Sequence, residues 1–232
     1  MASAARPCSG MAGWLLSLTR GRSSHRRSSM DPRDLTDMQL DALGEVGSIG
    51  AGHAATALSQ LLGTPVDIDV PDVRLLPVTE VPAVLGGPEN LVGAVYSRLL
   101  GDLGGGLLFV LDCEGLLQLS DLLRSREPGT SKSLGSAEEA TVTHAAAMLI
   151  SAYLAAVARL TELSALPGPE QFAFDMLGAI LEGVSMQIGL KVDNAILILT
   201  RFSTAGTSVD AALFFLPDPD SLDVMLGRLG II

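Results

Sequence analysis

The chain has 232 residues, 48% of them hydrophobic and few aromatic, a composition that can bury a substantial core and excludes a disordered chain. Its formal charge of −11 is uneven: residues 1–29 hold Arg6, Arg20, Arg22, Arg26 and Arg27 and no acid, so the other 203 residues carry about −16. A body that acidic repels phosphates, which argues against nucleic acid as a partner, and no apolar run approaches the roughly 20 residues that would make a membrane one.

The short apolar run Met11 to Leu18 is followed, not preceded, by its positive charge, which is the wrong order for a secretory signal. Residues 1–29 therefore read as a disordered or non-native extension, and the domain as residues 30–232, starting near Met30. Cys8 and Cys113 make no framework, so the expectation is a reduced, cytoplasmic protein.

The stretch Asp31-Pro32-Arg33-Asp34-Leu35-Thr36-Asp37 suits a helix entry, with a proline, cap-type residues and acids. Leu40, Leu43, Gly47, Gly50, Ala54, Leu58 and Leu61 recur at helical spacing, and Gly63-Thr64-Pro65 ends the helix. Val66–Val70 and Val73–Val78 read as strands. Gly86-Gly87-Pro88 makes a turn. Strands near Leu91–Leu99 and Gly105–Leu111 form a hairpin, followed by a helix from Leu116 to Leu123.

A polar, Gly/Ser/Pro-rich stretch, Arg124 to Ser136, separates the halves. The pattern then predicts a long helix over Ala137–Leu163, a break at Pro167-Gly168-Pro169 and a helix over Phe172–Glu182. Strands are expected near Val184–Val192, Ala195–Phe202 and Val209–Leu216, with a closing helix over Ser221–Leu229.

The halves echo each other. Leu107-Leu-Phe-Val-Leu-Asp112 with its helix matches Leu213-Phe-Phe-Leu-Pro-Asp218 with its helix, and Asn90 matches Asn194. The expected fold is α+β: a pseudo-two-fold duplication of a helix–strands–helix unit, over about 33–123 and 137–231. Its strands would pool into one mixed or antiparallel sheet, with the two long helices packed on one face.

Gly47-Ser-Ile-Gly50-Ala-Gly52 looks like a phosphate-cradling loop, but such a loop needs a strand before it, and here the preceding residues are helical. Each helix-interior glycine costs about 1 kcal/mol against alanine. The better reading is close packing by some of them. On another face, Asp41, Glu45 and Ser48 fall at i, i+4 and i+7 and form one polar stripe, which spacing alone does not distinguish from an ordinary solvated face.

These residues resemble the signature of the CheC-like family of chemotaxis phosphatases, which includes CheC, CheX and FliY: Asp or Ser, three residues, Glu, two residues, Asn, then 22 residues and Pro. Asp41-Ala-Leu-Gly-Glu45-Val-Gly-Ser48 fits it except at its last position, with Pro71 at the required distance. Softer matches at Asp175-Met176 and Met225–Ile231 extend the likeness over nearly all of residues 33–231.

The resemblance implies docking on a phosphorylated CheY-type response regulator, with Glu45 contacting the regulator's lysine. Ser48 stands where the family has the asparagine that holds the attacking water. In the second half, His144 takes the Glu position and Ala147 the Asn position, and Pro169 is one residue out of place, so that site is expected to be degenerate. His53 reads as an interface or surface residue rather than a stand-in for the amide. The family also implies a CheD-type receptor deamidase as a possible partner. No metal site or cofactor of the chain's own is expected, Mg2+ coming with the regulator.

Overall fold

The computed structural model describes residues 6–7, 36–69, 71–188, 194–204 and 206–230. Apart from Arg6 and Pro7, the expected extension over 1–29 lies outside the described residues. The two-residue strand β1 (Arg6–Pro7) pairs antiparallel with β6 (Ser133–Leu134).

The remaining elements form two copies of one unit. The first runs α1 (Asp37–Leu62), the short β2 (Asp67–Ile68), β3 (Asp72–Pro77), a 3-10 turn (Val78–Glu80) with α2 (Val81–Val84), β4 (Leu91–Gly101), β5 (Gly105–Asp112) and α3 (Cys113–Leu123). The second runs α4 (Ser136–Thr161), β7 (Ala165–Met176), α5 (Leu177–Ile188), β8 (Asn194–Thr204), β9 (Thr207–Pro217) and α6 (Pro219–Arg228). Helices α1 and α4 each have 26 residues, so position 37 corresponds to 136, an offset of 99. Both end on a left-handed residue, Gly63 and Glu162.

Sheet order shows how the copies interlock. The seven strands lie in the order β2-β8-β9-β5-β4-β7, with β3 also pairing β8, and every pairing is antiparallel. The hairpins β4–β5 and β8–β9 meet at the centre. Each unit's first long strand crosses over to the other unit's hairpin, β3 onto β8 and β7 onto β4.

Side-chain alternation in the central strands builds a core on each face. Leu107, Phe109, Leu111, Ile196, Ile198 and Phe215 join a cluster that includes Leu43, Leu58, Leu149 and Tyr153 of the long helices. Leu108, Val110, Leu197, Leu199 and Phe214 join Leu177, Ile180, Leu181 and Val184 of α5 on the opposite face. The two long helices share one face, as the sequence predicts; the layer of α5 and α2 on the other is an addition to it.

Two predicted elements are corrected. Pro167-Gly168-Pro169 is no break: these residues lie in β7, and the expected helix over 172–182 begins only at Leu177. β7 is an edge strand, where a missing N–H is tolerated. Its pairing with β4 slips between Ser97 and Leu99, and the Ser97 hydroxyl donates to the Gly168 carbonyl at 3.0 Å across the irregularity. The strand expected over 184–192 is helix as far as Ile188, its apolar period starting at Leu177; residues 189–193 lie outside the described residues.

Cys113, read as a reduced thiol, is disulfide-bonded; Cys8 lies outside the described residues. By length and composition α4 could cross a membrane, against the sequence reading, but half of that apolar stretch is buried, 50% in the fold, where Ala146, Leu149, Ile150 and Tyr153 pack into the core. The inter-unit segment is tied down by buried Asp121. Burial opposes charge on this carboxylate, but hydrogen bonds from the Ser131 hydroxyl and from the Ser131, Thr130 and Gly129 amides hold its pKa below the usual value.

Candidate functional site

The α1 stripe begins with a well-made helix start. Thr36 caps it: the Gln39 amide donates to the Thr36 hydroxyl at 3.3 Å, and the Thr36 amide donates to the Gln39 side-chain oxygen at 2.8 Å. This reciprocal pair is a capping box. It fixes the first turn, from which the rest of the helix takes its rotation.

The inward faces of α1 explain two of its glycines. A Cβ on Gly47 would lie 2.7 Å from a Val73 methyl of β3, and one on Gly50 would lie 2.3 Å from the Tyr153 ring of α4. The helix therefore sits close on the sheet edge at one point and on its partner helix at another. Gly44 and Gly52 differ, since a Cβ on either meets nothing within 4 Å. Gly52→Ala is thus expected to stabilise the fold by about 1 kcal/mol, measured as a higher urea midpoint with an unchanged slope.

The opposite face carries the stripe. Asp41 and Glu45 are exposed and Ser48 half-buried. None of the three side chains is engaged by a hydrogen bond or ion pair among the described residues. Pro71 is half-buried and directly precedes β3, two residues before the valine under Gly47. The chain path thus brings Pro71 to the α1 flank.

The arrangement presents an acid pair and a hydroxyl to solvent from a rigid helix. It can receive a cationic group and orient a small polar molecule, because carboxylates accept and a hydroxyl both donates and accepts.

The helix offset places His144 at the position of Glu45 and Ala147 at that of Ser48. His144 is exposed and Ala147 half-buried. The second face therefore has the orientation of the first without its acids or hydroxyl. Pro169 lies in the irregular part of β7, not ahead of a strand as Pro71 does. His53 is at the helix interface: its Nε2 lies 3.3 Å from Nη2 of Arg159 on α4.

A polar cleft that the sequence reading did not pick out lies at the ends of β5, β8 and β9. It has a volume of about 200 Å3 and is lined by Asp112, Glu114, Gln118, Arg201, Ser208 and Asp210. Arg201 donates to both Asp210 oxygens, at 2.6 and 3.1 Å. Asp112 caps α3 by accepting from the Gly115 amide at 2.7 Å. Burial raises its pKa against that hydrogen bond, and the charges of Glu114 and Asp210 add to the rise. The Arg201–Asp210 pair joins residues nine apart on neighbouring strands, which no local pattern marks.

A family model described as the CheC-like family matches residues 38–74, the span from the first turn of α1 past Pro71 into β3. CheY-P phosphatase CheC of Bacillus subtilis is 30% identical over 200 residues, covering 84% of this chain and 96% of that protein. Flagellar motor switch phosphatase FliY of the same organism is 34% identical over 102 residues, which are 44% of this chain and 26% of the relative. Among solved structures, Thermotoga maritima FliY superposes with a TM-score of 0.69 at 19% identity, covering 84% of this chain and 98% of the other. The FliM middle domain from H. pylori gives 0.58 at 10% identity, with 84% and 99% covered. At these identities the structural likeness speaks to the fold.

Proposed function

The chain belongs to the CheC-like family, and from that premise we propose that it docks on a phosphorylated CheY-type response regulator and promotes hydrolysis of its aspartyl phosphate. The reading rests on one observation. On the family's motif helix, Asp41, Glu45 and Ser48 share an outward face and are engaged by no group among the described residues.

Loss of an aspartyl phosphate by in-line attack of water demands little covalent chemistry from a second protein. Its contribution is to position the water and the reacting group. Glu45 sets the register by pairing with a lysine of the regulator, Asp41 widens the acidic contact, and Pro71 shapes the flank. Ser48 offers the water a donor and an acceptor from a shorter arm than the amide it replaces, so the activity is weak. Mg2+ comes with the regulator, and no residue of this chain is assigned to it. The setting is the cytoplasm, where such regulators act.

Phosphate loss from a phosphorylated CheY-type regulator, with and without the chain, tests the reading. Decay no faster than the regulator's own would overturn it. Glu45→Ala is expected to remove the acceleration through loss of docking, with binding of the regulator at least 10-fold weaker, as for a central charge at an interface. Surface plasmon resonance checks that change.

A second reading is favoured by the state of the second face, where Ala147 offers no polar group at the position of Ser48 and His144 replaces the acid of Glu45. In it the chain is a non-catalytic adaptor for a CheD-type deamidase or a receiver domain. Pull-down of either, with no acceleration of phosphate loss, separates it from the first.

A further inference from the structure

The seam on α1 is longer than the family motif. Positions 38, 41, 45, 48 and 52 follow each other at spacings of three and four and lie on one helix face. At one end stands Met38, 70% exposed, the most exposed of the large hydrophobic side chains among the described residues. The capping box at Thr36 and Gln39 brackets it, so its backbone is held in the ordered first turn.

The duplication supplies an internal control. With the offset of 99, the same seam on α4 is Ala137, Ala140, His144, Ala147 and Ser151, exposed but for the half-buried Ala147. Where the acids and the hydroxyl at the Ser48 position are gone, the large apolar residue is gone too. A single exposed apolar side chain on a solvated surface needs no explanation. One that is present on the seam that keeps the acidic groups, and missing from the equivalent seam that lost them, does.

We propose that Met38 is the apolar anchor of the regulator-docking face. Resting on the function proposed above, this makes Met38 a positioning residue: it contacts the receiver domain nearly three helical turns, about 15 Å, from Ser48 and holds Glu45 in register without touching the phosphate. Methionine suits the role, since a long, unbranched thioether adapts to an irregular surface. Apolar anchors beside charged pairs carry a disproportionate share of binding at interfaces.

The test is Met38→Ala in the full chain, with Met38→Leu as rescue. Alanine is as good a helix former as methionine, so the melting temperature stays at its wild-type value. Binding to a beryllofluoride-activated CheY-type receiver weakens about 10-fold. In the phosphate-release assay KM rises by the same factor with kcat unchanged, and leucine restores both binding and KM. If Met38→Ala binds as wild type while Glu45→Ala does not, the anchor is overturned and the docking reading stands. If the wild-type chain neither binds nor dephosphorylates the receiver, both fall.

Discussion

Ser48→Asn is expected to raise the rate of phosphate loss from a phosphorylated CheY-type regulator by on the order of 10²-fold, the scale on which a misplacement of about 1 Å in a positioned group is felt. Serine's oxygen is one bond from Cβ, whereas the asparagine amide lies a bond further out and presents a carbonyl and an NH₂ in one plane. Ser48 is half-buried on the outward face of α1, where serine and asparagine have similar helix propensities. The gain should therefore appear in kcat, with KM held by Glu45 and the fold unchanged. A time course of phosphate release, with the variant and wild type at matched concentrations, checks it. No gain in kcat would mean that the phosphate does not lie beside position 48.

Gly50→Ala is expected to destabilise the fold by about 3 kcal/mol, at the upper end of what overpacking usually costs. The added Cβ would lie 2.3 Å from two ring carbons of Tyr153, a separation that no rotation of a methyl relieves. Tyr153 is 3% exposed and belongs to the core cluster, so its ring cannot swing into solvent. The helices must separate, and α1 then shifts on the sheet. The urea midpoint measures the loss. Because the same shift carries Glu45 and Ser48 with it, activity should fall more than stability requires at temperatures where the variant is still folded. Gly52→Ala, two residues along, is expected to move stability the other way, and this opposite sign separates a steric effect from a general one.

Much of this was readable locally and some was not. The 41–45–48 stripe follows from helical spacing alone, since a helix fixes the relation of its own residues. The duplication was legible from the two strand-and-helix repeats. The reason for Gly50 was not, because Tyr153 lies over 100 residues away and reaches it only through helix packing. β7 failed for the same reason: its prolines forbid a regular central strand, and they are tolerated because β7 is an edge strand whose pairing with β4 is irregular. The exposed end of the seam at Met38 was also missed, as a methionine two residues into a helix carries no local sign of whether it is covered.

The crossing of β3 onto β8 and of β7 onto β4 has a consequence for how the chain is made. When the first unit leaves the ribosome, β4 has β5 on one side and nothing on the other, and β3 has no partner. Both wait for strands encoded roughly 70 to 130 residues downstream. The growing chain therefore carries open strand edges of the kind that recruit other chains. It is committed to finishing both units before β3 and β4 gain these partners, so the site on α1, though contiguous in sequence, is completed only when the second unit arrives.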